Sequence, residues 1–258
     1  MKVYEDVHSA YLGTLADVVD SPDYVCSPRG MQIREKLDYQ FRVMKPEAVS
    51  LVTKDEERNG KIAEYTAKEM ELYNSGTNKA SDFAQASKFW STIANPDGTI
   101  NSAYGYLIWK NKSMGSARFE KEHNFTYDTQ FPKRRTPWEW AKECLILDKD
   151  TRQAIMPFNL PDHAWLGNKD FPCTLVANWH IRENQLHLAM VMRSNDLNRG
   201  LLYDLNFFVS LMDRMVDELK PTYPDIVKGH YTHTAQSAHI YEKELPVINK
   251  MLGRETTV

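Results

Sequence analysis

The clearest structural signal lies in residues 175–192, LVANWHIRENQLHLAMVM. Apolar residues predominate in two runs, Leu175 to Ile181 and Leu186 to Met192, and the polar segment Arg182-Glu183-Asn184-Gln185 joins them. Both runs are rich in the branched and aromatic side chains that favour strands. The short polar connection predicts two antiparallel strands that are neighbours in one sheet.

Helices and further strands are predicted around this hairpin. A strongly apolar helix is predicted from Phe207 to Leu219, and Pro221 ends it. Its apolar arc is wide enough to predict complete burial. A short strand near 226–233 and a helix close to the C-terminus follow.

The N-terminal half contains the same mixture of elements. Helical spacing predicts an opening amphipathic helix through Val7, Tyr11, Leu15 and Val18. Alternation with polar residues predicts a strand with one buried face through Leu37, Tyr39, Phe41 and Val43. A second helix, ending near Gly76, carries Ile62, Tyr65, Glu69, Met70 and Tyr73. From Gly76 to Trp140 the irregular spacing of aromatic residues predicts mostly loop and short helix.

Length and composition place the chain among compact globular proteins. It has 258 residues, of which 42% are hydrophobic and 26% are charged, and no internal repeat or linker-like segment divides it. We therefore expect one α+β domain over residues 1–258. The net charge of −3 provides no broad positive field, so binding to a nucleic-acid polymer is not expected.

Several features predict a cytoplasmic protein. Three cysteines are too few, and odd in number, for a disulfide framework, which favours a reducing compartment. The N-terminal residues do not have the pattern of a signal peptide. No apolar run approaches the roughly 20 residues that cross a bilayer, so no membrane association is expected.

Cys173 is a candidate nucleophile in the segment Asp170-Phe171-Pro172-Cys173-Thr174, directly before the first strand of the hairpin. The alternative is that this cysteine is simply a small buried hydrophobic residue. A nucleophilic cysteine needs a nearby cation, because a free thiol has a pKa of about 8.5 and the thiolate is the reactive form. Arg193, at the end of the adjoining strand, is placed to supply that charge.

The segment Arg193-Ser194-Asn195-Asp196 places a guanidinium, a hydroxyl and a carboxylate at one strand end. A guanidinium with a hydroxyl suits a phosphate monoester, because the guanidinium fork donates two hydrogen bonds and the hydroxyl a third. The alternative is a solvated turn that Ser194 or Asp196 caps.

Three histidines lie close together in the sequence: His230, His233 and His239. Zinc sites take three or four ligands at recognised spacings, and neither cysteine nor an acidic pair accompanies these histidines, so we expect no metal site. His239 and Tyr241 share one face of an extended chain, where they can hydrogen-bond a sugar hydroxyl. The absence of a glycine-rich phosphate loop argues against a nucleoside triphosphatase.

Together these segments resemble the thymidylate synthase superfamily over most of the chain. The matching segments occur in the order of the family: KEMELY at 68–73, FW at 89–90, INSAYG at 100–105, TR at 151–152, FPCT at 171–174, RSND at 193–196 and HIY at 239–241. Each is weak alone, but their order and spacing are specific together. The chain is most similar to the phage-type deoxycytidylate hydroxymethylases and related cytidylate hydroxymethylases.

The resemblance implies an α+β fold in which helices pack on a large mixed sheet, and a homodimer formed sheet to sheet. It implies an enzyme that transfers a one-carbon unit from 5,10-methylenetetrahydrofolate to C5 of dCMP, without a metal. In that mechanism the Cys173 thiolate adds to C6 of the base and C5 attacks the one-carbon unit. The C5 proton is then lost and tetrahydrofolate departs, which leaves an exocyclic methylene. Water adds to that carbon and Cys173 is expelled, which gives 5-hydroxymethyl-dCMP.

The resemblance also makes Asp204 the residue that distinguishes the bases. Thymidylate synthases have asparagine at this position, eight residues after Asp196 in this chain, whereas the cytosine enzymes have aspartate. An asparagine amide satisfies both N3–H and O4 of uracil, whereas a carboxylate accepts from the N4 amino group of cytosine. Asparagine facing N4 leaves a buried mismatch of about 1–3 kcal/mol. The alternative role for Asp204 is a cap for the following helix.

The remaining site residues are also implied by the resemblance. Glu69 would organise water and proton transfer near the ring, and Tyr104 would lie near the departing C5 proton. Trp90 would contact the folate and Asp196 its pterin. The nucleotide's phosphate and its sugar 3′-hydroxyl would be bound by two further pairs, Arg193 with Ser194 and His239 with Tyr241.

The chain departs from the family pattern at the phosphate site. Family members have two consecutive arginines that reach the neighbour's phosphate across the dimer interface, and here the pair is Arg152-Gln153. We expect Arg152 to keep its contact with the partner's phosphate, and Arg29 to compensate for the second arginine from the same chain. A retained cross-dimer arginine implies an obligate homodimer, in the host cytoplasm if a phage encodes it.

Other reactions stay open on the sequence. They are methylation of dCMP with oxidation of the folate to dihydrofolate, hydroxymethylation of CMP, and a thymidylate synthase-like reaction on dUMP. Asp204 argues against the reaction on dUMP. The non-enzyme alternative is a silent nucleotide-binding relative, and the intact residues Cys173, Glu69 and Arg193 argue against it.

Overall fold

The protein is represented by a computed structural model that describes residues 1–49, 51–115 and 134–254. Its strands are β1 (Lys2–Asp6), β2 (Tyr24–Cys26), β3 (Ile33–Lys45), β4 (Ile155–Pro157), β5 (Thr174–Arg182), β6 (Gln185–Met192), β7 (Asn195–Asp196) and β8 (Val227–Tyr241). Its helices are α1 (Val7–Asp20), α2 (Glu56–Ser75), α3 (Ala80–Phe83), α4 (Phe89–Ile93), α5 (Tyr104–Trp109), α6 (Pro137–Leu147), α7 (Leu202–Leu219) and α8 (Leu245–Met251). A π-helical turn, Leu197–Leu201, leads into α7.

The strands form one mixed sheet in the order β1-β3-β8-β6-β5-β4, with β2 added to β3 and β7 to β8. The predicted hairpin is confirmed, because β5 and β6 pair antiparallel from Thr174 opposite Met192 to Arg182 opposite Gln185. Their turn residues Glu183 and Asn184 have φ angles of 50° and 60°, the left-handed region that suits a tight two-residue hairpin turn. The sheet contains both antiparallel and parallel pairs, and helices accompany it, which confirms the predicted α+β class.

Strand β8 is longer than the short strand predicted near 226–233. It pairs antiparallel with β3 on one side, and parallel with β6 and then β7 on the other. Pairing with β3 continues as far as Tyr241, and β7 pairs with Ala238 and His239 on the other side. These hydrogen bonds extend the strand although the sequence after His233 has little apolar alternation. The extension places His239 and Tyr241 in the sheet.

Most of the predicted helices are confirmed, with one correction. Helix α1 covers the predicted opening helix, and α2 ends at Gly76, whose φ of 70° is a left-handed helix cap. Helix α7 buries all the apolar residues predicted for it, but Asp213, Arg214 and Asp217 form an exposed stripe. Complete burial was therefore wrong, because unpaired charged side chains are too costly to bury.

The two faces of the sheet differ in burial. On one face β3 contributes Tyr39, Phe41 and Val43 to the core, whereas Leu37 is 47% exposed beyond Asp38, whose φ of 49° interrupts the pleat. Alternate residues of the same sheet form a half-buried face that includes Asn178, His180, His187, Val191 and His230. The rings of His187 and His230 lie 4.0 Å apart. We call these five residues the half-buried face.

The region predicted as loop and short helix contains α3, α4 and α5 and the start of α6, which agrees with the prediction. Residues 116–133 of that region lie outside the described residues. Within the described ranges, no helix has the length and apolar character needed to span a bilayer.

Candidate active site

The hairpin brings Cys173 and Arg193 together at one end of β5 and β6. The Arg193 N–H donates to the carbonyl of Cys173 at 2.9 Å, which extends the pairing of the two strands by one residue. The Arg193 guanidinium Nη2 lies 3.6 Å from Cys173 Sγ and also donates to the carbonyl of Phe171 at 2.6 Å. The cation predicted beside the candidate nucleophile is confirmed.

The charges around Cys173 act in opposite directions. Burial raises the pKa of its thiol to about 11, the Arg193 charge lowers it, and the carboxylates of Asp204, Asp170 and Asp196 raise it. The thiol form therefore predominates at neutral pH. The thiolate is the nucleophile, and of the charged groups named here Arg193 is the one that favours it.

Two buried acids face the same region from different helices. Glu69 on α2 is 7% exposed, and Asp204 on α7 is 8% exposed. Burial raises the pKa of Glu69 to about 8, and the Asp204 charge raises it further. Burial raises the pKa of Asp204 to about 7, against a hydrogen bond from Asn195 that lowers it. Carboxyl groups with such values can take up and release protons near neutral pH.

Asp204 is not a helix cap. The cap position belongs to Asp196, whose Oδ1 accepts from the backbone N–H groups of Asn198 and Arg199 at 3.0 Å each. Asp204 instead accepts from Asn195 Nδ2 at 3.1 Å, through Oδ2. The turn cap proposed as the alternative role of Asp196 is confirmed, and it uses one carboxylate oxygen.

Gly200 leaves room for the contact between Asn195 and Asp204. A Cβ atom at Gly200 would lie 3.0 Å from Asn195 Nδ2 and 3.3 Å from Asp204 Oδ2. Asn195 Oδ1 is buried and has no hydrogen-bond partner among the residues that the structure describes. Because buried polar atoms are normally paired, this oxygen fits a donor group of a bound ligand. Asn195 belongs to the segment Arg193-Ser194-Asn195-Asp196, but no role was predicted for it from the sequence.

Tyr104 lies at the start of α5, against the core beside the two acids. Its ring stacks on that of Tyr73 at 5.5 Å and meets Phe158 edge to face at 5.4 Å. Burial raises its pKa well above the ordinary value, and the charges of Asp204 and Cys173 raise it further. These electrostatic contacts place Tyr104 near the candidate nucleophile, as expected, with its phenol protonated.

Trp90 is linked to Glu69 through a residue that sequence reasoning did not single out. Trp90 Nε1 donates to the Tyr65 hydroxyl at 3.2 Å, and the Tyr65 hydroxyl donates to Glu69 Oε1 at 3.1 Å. Tyr65 precedes Glu69 by one helical turn on α2, and that i, i+4 spacing was the signal in the sequence.

The predicted sugar-binding pair lies on β8, next to Asp196. Asp196 of β7 pairs with His239 in register, and the rings of His239 and Tyr241 lie edge to face at 5.6 Å. Burial raises the pKa of Tyr241, and the Asp196 charge raises it further, while the Arg29 charge lowers it. Exposed Arg29 is therefore close enough to act on this end of the site.

Arg152 does not join these residues within one chain. It is exposed, and it lines a surface cavity with Asp148, Asp150, Thr151 and Gln153. Arg182 donates to the carbonyl of Asp150 at 3.4 Å, which places this loop near the end of β5 opposite Cys173. Since a strand rises about 3.3 Å per residue, β5 separates the two places by about 26 Å.

The three clustered histidines do not converge. His230 belongs to the half-buried face, whereas His233 is buried, stacks on Phe41 at 5.0 Å and hydrogen-bonds the Tyr231 hydroxyl at 2.8 Å. His239 lies at the candidate site. Within the part of the chain that the structure describes, no group of three or more potential ligands is arranged to hold a metal ion.

Comparisons with known proteins agree with this geometry. The sequence model of the thymidylate synthase family matches residues 9–258. A deoxycytidylate 5-hydroxymethyltransferase of Enterobacteria phage T6 is 26% identical over 194 residues, which cover 72% of this chain and 70% of that protein. A deoxyuridylate hydroxymethyltransferase of Bacillus phage SP01 is 25% identical over 250 residues, which cover 90% of this chain and 56% of that protein.

A solved structure shows the same fold. Thermostable thymidylate synthase A from Bacillus subtilis aligns with a TM-score of 0.68 at 19% identity, and the alignment covers 96% of this chain and 84% of that one. The chain therefore belongs to the thymidylate synthase family and is a folate-dependent one-carbon transferase acting on C5 of a pyrimidine nucleotide, with 5,10-methylenetetrahydrofolate as its co-substrate.

Proposed function

We propose that this protein is a deoxycytidylate hydroxymethylase that converts dCMP into 5-hydroxymethyl-dCMP. The observation that carries the proposal is the buried carboxyl of Asp204, which Asn195 Nδ2 holds at 3.1 Å close to the candidate nucleophile Cys173. The similarity to the phage T6 deoxycytidylate enzyme supports the same choice of base.

The chemistry of Asp204 favours cytosine over uracil. The N4 amino group of cytosine is a donor, and a carboxylate or the unpaired Asn195 Oδ1 accepts from it. Because burial raises the pKa of Asp204 to about 7, the same carboxyl can share a proton with N3 when negative charge develops on the ring. Uracil has a carbonyl oxygen at C4 in place of the amino group, and this O4 acceptor would face a carboxylate that is also an acceptor.

The reaction then divides among three side chains. The Cys173 thiolate, favoured by the Arg193 charge, forms a bond to C6, which makes C5 nucleophilic toward the one-carbon unit. Tyr104 acts beside the C5 proton; when this proton is lost, the bond between the one-carbon unit and tetrahydrofolate breaks, tetrahydrofolate departs, and an exocyclic methylene is left on C5. Glu69, whose pKa of about 8 allows both protonation states, accepts a proton from the water that adds to the exocyclic methylene, and Cys173 is then released.

The outer contacts complete the proposal. Arg193 and Ser194 bind the 5′-phosphate, with Arg29 as an additional cation, and the pair on β8, His239 with Tyr241, binds the sugar hydroxyl. Trp90 and Asp196 contact the folate. The free carboxylate oxygen of Asp196 and the nearly buried ring of Trp90 suit a flat heterocycle with donor groups.

The active unit in this proposal is a homodimer. Arg152 is exposed and lies near the end of β5 that is opposite Cys173 of its own chain, so we propose that it binds the phosphate in the partner's site. The half-buried face, with Val191 among its histidines, supports packing of one sheet against another. The three free cysteines support a reducing cytoplasm.

The test is to incubate the protein with 5,10-methylenetetrahydrofolate and each of dCMP, CMP and dUMP, and to determine product masses. We expect a hydroxymethyl group on dCMP, and no product with Cys173→Ala, which should still bind the nucleotide. A methyl group on dCMP, together with release of dihydrofolate, would show that the protein is a deoxycytidylate methylase instead. Turnover of dUMP alone would reject the role given to Asp204, and a product from CMP alone would reject the deoxyribose assignment.

A further inference from the structure

Tyr65 lies between Trp90 and Glu69. In the function proposed above, on which this inference rests, Trp90 contacts the folate and Glu69 accepts a proton from water. Tyr65 is partly buried on α2, and its ring lies 4.6 Å from that of Tyr203 on α7. Its hydroxyl joins Trp90 Nε1 at 3.2 Å to Glu69 Oε1 at 3.1 Å. The three side chains form a continuous hydrogen-bonded chain, which we call the Trp90–Tyr65–Glu69 chain.

The chemistry of the end groups sets the direction of both hydrogen bonds. The indole N–H of Trp90 can only donate, so the Tyr65 oxygen must accept from it. The single hydroxyl proton of Tyr65 is then left for Glu69. A donated hydrogen bond stabilises the ionised carboxylate more than the neutral acid, so Tyr65 favours the charged form of Glu69.

We propose that Tyr65 is a positioning residue that orients Glu69 and favours its ionised form, and that this effect depends on the indole of Trp90. Tyr65 holds Glu69 Oε1 and so fixes the orientation of the carboxyl group, to which the Tyr73 hydroxyl also donates. Because Trp90 contacts the folate in the proposed function, the Trp90–Tyr65–Glu69 chain connects the folate-binding site to Glu69.

Other groups around Glu69 limit how large the effect can be. Asp204, on α7, raises the pKa of Glu69 through its charge, and burial raises it most. The Tyr73 hydroxyl, one turn further along α2, lowers it together with that of Tyr65. Tyr203 faces the same region from α7. Loss of the Tyr65 hydroxyl therefore removes one of the two phenols that lower the pKa of Glu69. Burial and the Asp204 charge, which raise that pKa, stay in place.

The test titrates Glu69 directly in the protein without substrates. Side-chain carboxyl signals of ¹³C-glutamate-labelled protein are followed against pH by NMR, and Glu69 is assigned by its disappearance in Glu69→Gln. We expect Tyr65→Phe to move the Glu69 midpoint upward by about half a pH unit or more, because the carboxylate loses a donor. A midpoint that stays in place or moves downward would overturn the proposal.

Two further variants separate the hydrogen bond from general packing. Tyr203→Phe removes a hydroxyl of the same kind from the ring that contacts Tyr65, and we expect it to leave the midpoint in place. Trp90→Phe keeps an aromatic ring but removes the N–H, and we expect a smaller upward shift. The double variant should shift no further than Tyr65→Phe alone, and additive shifts would reject the dependence on Trp90.

Turnover gives a second readout. If ionised Glu69 is the base for water, the rising limb of the pH–rate profile should move upward in Tyr65→Phe by the same amount as the NMR midpoint. Rates should fall several-fold at pH 7 and recover at pH 9. An equal loss at every pH would indicate a merely structural role. Since the titration needs no turnover, failure of the proposed reaction would be distinguished from failure of this inference.

Discussion

At the scale of single residues, the site is built from acids in places where water does not stabilise their charge. Burial raises the pKa of both Glu69 and Asp204. The Asp204 charge further raises the pKa of Glu69, and the Asp196 charge further raises that of Asp204. Few neighbouring groups oppose this effect: the phenols of Tyr65 and Tyr73 act on Glu69, and the Asn195 amide acts on Asp204. Replacing a single atom in such a site should therefore change the chemistry more than the fold.

Asp204→Asn should shift the preference of the enzyme from cytosine toward uracil. The amide would donate to O4 of uracil but would face the N4 amino group of cytosine with a donor, a mismatch of about 1–3 kcal/mol. We expect the ratio of kcat/KM for dCMP to that for dUMP to fall about 10- to 100-fold. Competition between the two nucleotides, with products separated by mass, measures this ratio.

Asp217→Asn is the matched control for this substitution. It makes the same chemical change on the exposed stripe of the same helix, where Asp217 forms an ion pair with Lys220 at 2.9 Å. We expect no change in base preference for Asp217→Asn. An unchanged ratio in Asp204→Asn as well would count against base recognition by Asp204.

At the scale of elements, the site depends on how closely α2 and α5 approach. A Cβ atom at Gly105 on α5 would lie 1.8 Å from the backbone oxygen of Tyr73 on α2. No side chain fits there without moving one of the helices. The same contact holds the ring of Tyr104 over that of Tyr73, so the absence of a side chain at Gly105 positions a proposed catalytic residue.

Gly105→Ala should destabilise the protein and reduce turnover, because the added methyl group separates the two helices. Overpacking of this kind costs about 1–3 kcal/mol in the free energy of unfolding, measured by urea denaturation. Gly60→Ala on α2 is the control, since a Cβ there meets nothing within 4 Å. That change should stabilise by about 0.5–1 kcal/mol. Equal effects of the two substitutions would disprove the close-approach argument.

At the scale of the whole molecule, Arg152 and Cys173 lie at opposite ends of β5. Within a single chain, Arg152, which is proposed to bind a phosphate, is therefore too far from Cys173 to contact the nucleotide bound there. In the proposed dimer, the half-buried face of one subunit packs against that of its partner. Strand β5 contributes to this face, so the packing would bring Arg152 of one subunit near Cys173 of the other.

Mixing two inactive variants should restore activity if the proposed dimer is correct. Cys173→Ala lacks the nucleophile, and Arg152→Ala lacks the arginine proposed for the neighbour's phosphate. In a mixed dimer one site has an intact Cys173 facing an intact Arg152, so we expect activity to appear after the subunits exchange. Sedimentation of each variant checks that both form dimers. Activity that never exceeds the sum of the separate variants would argue against the shared site.

Local features of the chain were sufficient to predict the β5–β6 hairpin, helices α1, α2 and α7, and the meeting of Cys173 with Arg193. Periodicity depends on near neighbours, and a tight hairpin brings its two flanks together whatever the rest of the chain does. The assignment of Asp204 and Glu69 came from family resemblance, and their spatial relation required the folded chain. The length of β8, the exposed stripe of α7 and the Trp90–Tyr65–Glu69 chain depend on packing between segments distant in sequence. No local pattern specifies these contacts, because they form only when separate helices and strands bury their faces against one another.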